Sequence, residues 1–240
     1  MTSSAANEWP RPTAAQMREL ALRGCEVARL AAAAVATGIS SDTAQPLDSV
    51  RQYEEELDAL DHQVNEGVTT AIPGASDSDA RELLSCLKLI LELERVGDLL
   101  LSVANRARTV ATRIEAQDAA DLKHMADILK QMLTDAEIAF RDRDLKRAVS
   151  IMRADAEMDR VRNLMFVRHI DNPEQQPRQQ SFHLVFMTQT LERAGDHAKN
   201  MAEEVCHLVT GRSVRHLIRA ADKPFEEMFV DWLRRQPGRK

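Results

Sequence analysis

Aromatic side chains are scarce in this chain of 240 residues: six Phe, two Trp and one Tyr make up 4% of it. Glycine and proline number eight each, well below the roughly 7% and 5% of ordinary usage. Sheet-rich folds need turn residues every dozen positions and favour aromatic and β-branched side chains. Their shortage argues against all-β and doubly wound α/β folds and leaves an all-α chain. Basic charge is also short, with 32 Lys and Arg against 38 Asp and Glu, a net charge of −6. Affinity for duplex nucleic acid comes largely from Lys and Arg on phosphates, so nucleic acid is not the expected partner. Cysteine is limited to Cys25, Cys86 and Cys206, an odd number without paired spacing. That fits a reducing cytosol and gives neither a disulfide framework nor a thiolate zinc site. The opening MTSSAANEWPRP lacks the basic-then-apolar layout of a signal peptide. The longest small-apolar run, residues 30–36, falls far short of the roughly 20 residues that span a bilayer. A soluble, cytoplasmic protein is the expectation.

Helical periodicity fills most of the rest. Apolar spacing predicts helices over 13–37, 46–70, 81–115, 118–143, 144–170 and 181–210. Thr37-Gly38, the loop IPGASDSDA (72–80) and DNPEQQPRQQ (171–180) supply the breaks. Ser78 or Asp79 is the expected cap of the third helix. At 1.5 Å per residue, the third and sixth helices should each run about 45 Å. The pattern repeats: LERVGD (93–98) matches LERAGD (191–196) at an offset of 98, and YEEELDAL (53–60) matches ADAEMDRV (154–161) at an offset of 101. Two tandem three-helix bundles related by a pseudo-twofold internal repeat are the simplest architecture. The expected division is a flexible tail over 1–12, bundles over 13–116 and 117–211, and a C-terminal extension over 212–240.

Acid pairs four residues apart recur on four of the helices. The second helix has its seam at Val50, Tyr53, Leu57, Leu60 and Val64 with Glu54 and Asp58 alongside; the fifth has Ile151, Ala154, Met158, Val161 and Met165 with Asp155 and Asp159. On the third and sixth helices, Glu94/Asp98 and Glu192/Asp196 lie away from the seams. An i,i+4 spacing puts both charges on one face, where like charges destabilise a helix by about 0.2–0.5 kcal/mol. Solvated acidic faces would explain any single pair. Four matched pairs point instead to a multivalent cation, and oxygen-only ligands suit hard ions. Without these eight carboxylates the chain carries 30 acids against 32 bases.

LERAGDHAKNMAEEVCHLVTG (191–211), LERVGDLLLSVANRA (93–107) and RDRDLKRAVSIMRADAEMD (141–159) resemble the characteristic segments of the PhoU family of bacterial phosphate-uptake regulators. The resemblance covers about residues 13–211 and is closer in the second half. It implies paired three-helix bundles that bind iron, magnesium, manganese, zinc or calcium through acid-x-x-x-Asp motifs. It also implies a non-enzymatic role, restraining phosphate uptake and phosphate-starvation signalling. The implied partners are the ATPase subunit of the phosphate transporter and a sensor histidine kinase. A homodimer is compatible with it, and membrane association would come only through partners. Carried over by position, the metal ligands are Glu54, Asp58, Glu94 and Asp98 in the first half, and Asp155, Asp159, Glu192, Asp196 and Asn200 in the second. Ser102 stands where the family usually has Asn and Asn105 where it has Glu, which predicts the weaker metal site in the first half.

Three further features need an account. Glu204-x-x-His207 has the spacing of di-iron carboxylate bundles, giving a ferritin-like metal store or oxidase as the alternative function. His197 beside Asp196 reads as an ordinary surface histidine. The third helix is apolar on nearly all sides through Leu87, Ile90, Leu91 and Leu101, so other helices should cover it, with a dimer or partner-docking surface as the alternative. The 212–240 extension carries eight Lys/Arg against four Asp/Glu, with Phe225, Met228, Phe229, Trp232 and Leu233 at helical spacing. Packing back on the bundle is expected there, with an anionic surface or partner protein as the alternative.

Overall fold

A computed structural model describes residues 11–41, 45–110, 114–170 and 179–212. These form six α-helices: α1 (Ala14–Ile39), α2 (Gln45–Ala71), α3 (Asp77–Val110), α4 (Ala116–Asp142), α5 (Leu145–His169) and α6 (Gln179–Thr210), with a 3₁₀ turn over Ile72–Gly74. There is no strand among the described residues. The all-α expectation holds. The terminal segments 1–10 and 213–240, and with them the apolar positions Phe225 to Leu233, lie outside the described residues.

Local chemistry sets the helix ends. Thr13 and Gln16 form a reciprocal capping box at the start of α1. α3 begins at Asp77, four residues before the expected Arg81. Ser76, rather than Ser78 or Asp79, supplies the capping contact: its Oγ accepts from the Asp79 N–H at 3.1 Å and donates to the Asp79 carboxylate at 2.8 Å. α4 closes on Arg143 in the left-handed region (φ 57°). Asp144 then caps α5, accepting from the N–H groups of Lys146 at 2.9 Å and Arg147 at 3.3 Å. With 34 and 32 residues, α3 and α6 run about 51 and 48 Å at 1.5 Å per residue, longer than expected.

The inner helices α1, α3, α4 and α6 form the centre, with α1 against α4 and α3 against α6. α2 packs on α1 and α3, and α5 packs on α4 and α6 in the matching way. Exchanging α1, α2, α3 for α4, α5, α6 preserves every one of these pairings, which is the pseudo-twofold relation expected from the repeat. Burial obeys the same exchange. Leu93, Val96, Gly97 and Leu100 are buried in α3, as are Leu191, Ala194, Gly195 and Ala198 in α6. Arg95 and Asp98 are exposed, as are Arg193 and Asp196. α3 is covered by α1, α2 and α6. Ile90 is therefore fully buried and Leu87 and Leu101 pack against the core, while Leu91 stays 43% exposed. The three thiols are buried and unpaired, and burial pushes those of Cys86 and Cys206 up to about 12.

The glycine of each LER-x-GD segment faces the outer helix. A Cβ on Gly97 would lie 2.7 Å from Leu57 Cδ1 and 3.8 Å from the Glu54 Cα, so α2 crosses α3 at close range. At Gly195 the nearest atom, Met158 Cε, would be at an ordinary 3.4 Å. Alanine should therefore act oppositely at the two sites. Overpacking against the fully buried Leu57 outweighs the helix-propensity gain, and Gly97→Ala should lose about 1–2 kcal/mol. Gly195→Ala should be neutral or gain about 0.5–1 kcal/mol. Denaturant unfolding of the two variants checks both signs.

Candidate functional site

Close packing of α2 on α3 brings the first-half acids together. Burial raises the Glu54 carboxyl above its ordinary value, and the charges of Asp58 and Asp98 raise it further. Burial likewise raises Glu94, followed by the charge of Asp98 and then those of Asp58 and Asp61. The pairs on α2 and α3 thus feel one another across the interface. Asp61 joins them without having been singled out from the sequence. Burial and Asp58 raise its carboxyl, against a 2.9 Å bond from the Asn65 amide. The cations nearby sit at the rim: Arg95 bonds Glu94 at 3.3 Å while two-thirds exposed, and Arg51 acts on Glu54 from an exposed position.

The second-half acids meet between α5 and α6 in a different electrostatic setting. Lys199 Nζ donates to Asp155 Oδ2. Arg162 donates to Asp159 Oδ1 at 2.9 Å and to Glu192 Oε1 at 3.4 Å, bridging the two helices. Burial raises the Asp155 carboxyl, opposed by the bond and charge of Lys199 and reinforced by Asp196 and Asp159. Burial lowers the Lys199 ammonium, but the bond to Asp155 and the charges of Asp155, Asp196 and Glu203 outweigh it, so the group is held above its ordinary value. Neither Lys199 nor Arg162 was a candidate from sequence.

Asn200 sits elsewhere. Its Nδ2 donates to Glu92 Oε2 of α3 at 3.2 Å, and His197 Nδ1 meets the same oxygen at 2.6 Å. Three residues at i, i+4 and i+8 wind about 80° around a 3.6-residue helix. The Glu192–Asp196 line therefore turns toward α3 by the time it reaches Asn200. Among the described residues, no group of three or more His, Cys, Asp or Glu side chains is arranged to hold a metal ion.

Glu204-x-x-His207 also faces α3. Glu204 accepts from Ser85 Oγ at 2.9 Å and from Lys88 Nζ at 3.0 Å, with His207 Nδ1 at 3.7 Å. One carboxylate bonded to a serine and a lysine is a seam contact rather than a di-iron constellation. These residues, with Arg81 and Arg212, line a cavity of about 540 Å³ between α3 and α6 that periodicity gave no means of locating. No helix among the described residues is long and apolar enough to cross a membrane.

Six helices in two pseudo-symmetric halves, each with acid-x-x-x-Asp pairs facing one another across its outer helix, define a tandem helical-repeat protein with paired acidic faces. The PhoU domain model matches the chain twice, over residues 23–107 and 122–205, and the chain belongs to that family. It is 30% identical over 175 residues to the phosphate-specific transport system accessory protein PhoU homolog of Pseudomonas putida, covering 70% of this chain and 68% of that one. With the Xylella fastidiosa (strain Temecula1) homolog it shares 29% over 170 residues, 70% of this chain and 71% of the other. The fold is that of the crystal structure of PhoU from Pseudomonas aeruginosa, with a TM-score of 0.74 at 23% identity over 82% of this chain and 97% of that one. PhoU from Streptococcus pneumoniae gives 0.76 at 18%, covering 84% and 97%.

The raised carboxyls fix the sign of a pH effect. Glu54 and Glu94 hold their protons to higher pH in the folded chain than at the ordinary value of 4.5. Once ionised they cost stability, a penalty absent below that value and complete above the raised one. In the absence of multivalent cations, a Glu54→Gln/Glu94→Gln variant should melt about 1–3 °C above the parent at pH 7. The difference should close as pH falls through 4.5, as thermal melts across a pH series will show.

Proposed function

We propose that this chain is a non-enzymatic regulator of phosphate uptake and phosphate-starvation signalling. In this reading it is a metal-binding helical adaptor that restrains a phosphate transporter and its sensor kinase. The observation that carries the proposal is the double PhoU-domain match, together with relatives named as accessory proteins of the phosphate-specific transport system. The acidic faces support the metal component. The first-half set Glu54, Asp58, Glu94 and Asp98 offers only oxygen donors, from two helices, with mutual repulsion that a cation would relieve. Hard ions such as Mg²⁺, Mn²⁺, Ca²⁺ or ferric iron suit such donors. A bound ion would supply charge neutralisation and cross-link α2 to α3. The side chains themselves present the oxygens, and Gly97 lets α2 approach α3 closely.

The chain acts in this reading on the cytoplasmic side of the membrane and reaches it through its partners. Tagged protein isolated from phosphate-replete cells should retain the transporter ATPase subunit or a sensor histidine kinase. Deletion should raise phosphate uptake and starvation-reporter output several-fold when phosphate is plentiful. Unchanged uptake and reporter output in the deletion strain would overturn the regulatory role. Elemental analysis of the purified chain should find metal that an Asp58→Asn/Asp98→Asn variant loses.

A further inference from the structure

We propose that the acidic face of the second half takes no metal: Lys199 and Arg162 are built-in counter-ions that occupy the place of the cation, so the chain responds to multivalent ions through its first half alone. This rests on the metal component of the reading above and reverses the order of the two faces expected from motif completeness.

The repeat offsets expose the exchange. At 98, Lys199 corresponds to Leu101; at 101, Arg162 corresponds to Asp61. Every carboxylate of the four pairs has an acidic counterpart, Glu54 with Asp155, Asp58 with Asp159, Glu94 with Glu192 and Asp98 with Asp196. Among the positions beside the acids, these two place in the second half a cation that reaches across to the facing helix, whereas the first half has Arg51, exposed, where the second has Met152. Leu101 has no charge to offer, and Asp61 adds a fifth carboxylate to the first-half face.

The geometry is that of a filled site. Asp155 is only 6% exposed, and a buried carboxylate needs a partner. Lys199 supplies it from α6 across to α5. Arg162 donates one N–H to Asp159 on its own helix and another to Glu192 on α6, tying the helices together as a shared cation would. A metal would have to displace both side chains. Among the described residues, no cation bridges the first-half pairs from one helix to the other: Arg95 bonds Glu94, its own neighbour in sequence, from solvent. Asn200 extends the second-half motif in sequence but donates its amide to Glu92 on α3.

Full-length chain, stripped with chelator and titrated with Mn²⁺, decides the matter by calorimetry and by elemental analysis after gel filtration. Asp159→Asn/Asp196→Asn should leave bound Mn²⁺ and affinity unchanged, whereas Asp58→Asn/Asp98→Asn should weaken binding about tenfold or more, ligand charge setting affinity for hard cations. Lys199→Leu/Arg162→Asp, which installs the first-half residues, should gain Mn²⁺ binding that Asp159→Asn/Asp196→Asn removes again. Should that double change not fold by circular dichroism, Lys199→Leu/Arg162→Leu, which removes both cations without adding a carboxylate, serves the same purpose. Loss of half or more of the bound Mn²⁺ in Asp159→Asn/Asp196→Asn overturns the inference, as does a folded exchange variant that gains none. If the parent chain binds no Mn²⁺, the metal component of the proposed function falls. The first-half response falls with it, and the exchange variant then decides only whether Lys199 and Arg162 keep metal off the second half, a gain upholding that and no gain overturning it.

Discussion

The molecule is organised by α3 lying along α6. These are the two longest helices among the described residues, and their seam, together with α1 against α4, joins the two halves. The seam is apolar at its centre and carries polar contacts along its length. Glu204 takes Ser85 and Lys88, and Glu92 takes His197 and Asn200, while Arg106 lies over the Phe186 ring at 3.6 Å. Because one flank of each long helix is committed to the other, the outer helices α2 and α5 can pack only on the remaining flanks. That is where the acids are. The seam thus determines that the acidic faces belong to separate halves and are not pooled into one.

Much of this was legible in the chain itself. Apolar seams at helical spacing marked α2, α3, α5 and α6, because burial against neighbours reinforces a 3.6-residue period over many turns, and breaks between them bounded α1 and α4. Helix ends were less legible. In SDSD (76–79) four adjacent residues compete to cap one helix, and only the backbone path shows that Ser76 wins. The acid pairs stood out through spacing and repetition. Their neighbours did not, since a lysine beside an aspartate on another helix, as with Lys199 and Asp155, is set by packing and leaves no periodic trace. A usable signal was nonetheless present: aligning the halves residue by residue shows Asp61 against Arg162 and Leu101 against Lys199. Asn200 illustrates the opposite difficulty, for a run that looks straight in letters winds around the helix and ends facing another element.

The two halves also differ in how they manage their charge. Both set carboxylates on helices that must approach closely, and both bury part of those groups. In the second half the cost is offset within the chain by Lys199 and Arg162. In the first it is left to solvent and to arginines at the rim. The same backbone frame therefore holds one face whose carboxylates are bridged by cations from its own helices and one whose nearest cations sit at the rim, while burial and mutual repulsion still raise carboxyls in both.

The shared burial register of 93–100 and 191–198 has a consequence for how such a chain can change over generations. Interior positions of the two copies are constrained alike, since each must fit the same kind of crossing. Exposed and half-exposed positions are constrained separately, because the faces do not meet. Duplication thus gives the protein a spare surface on an unchanged frame. One copy can differ from the other in charge, as Lys199 and Arg162 differ from Leu101 and Asp61, while the architecture stays as it was.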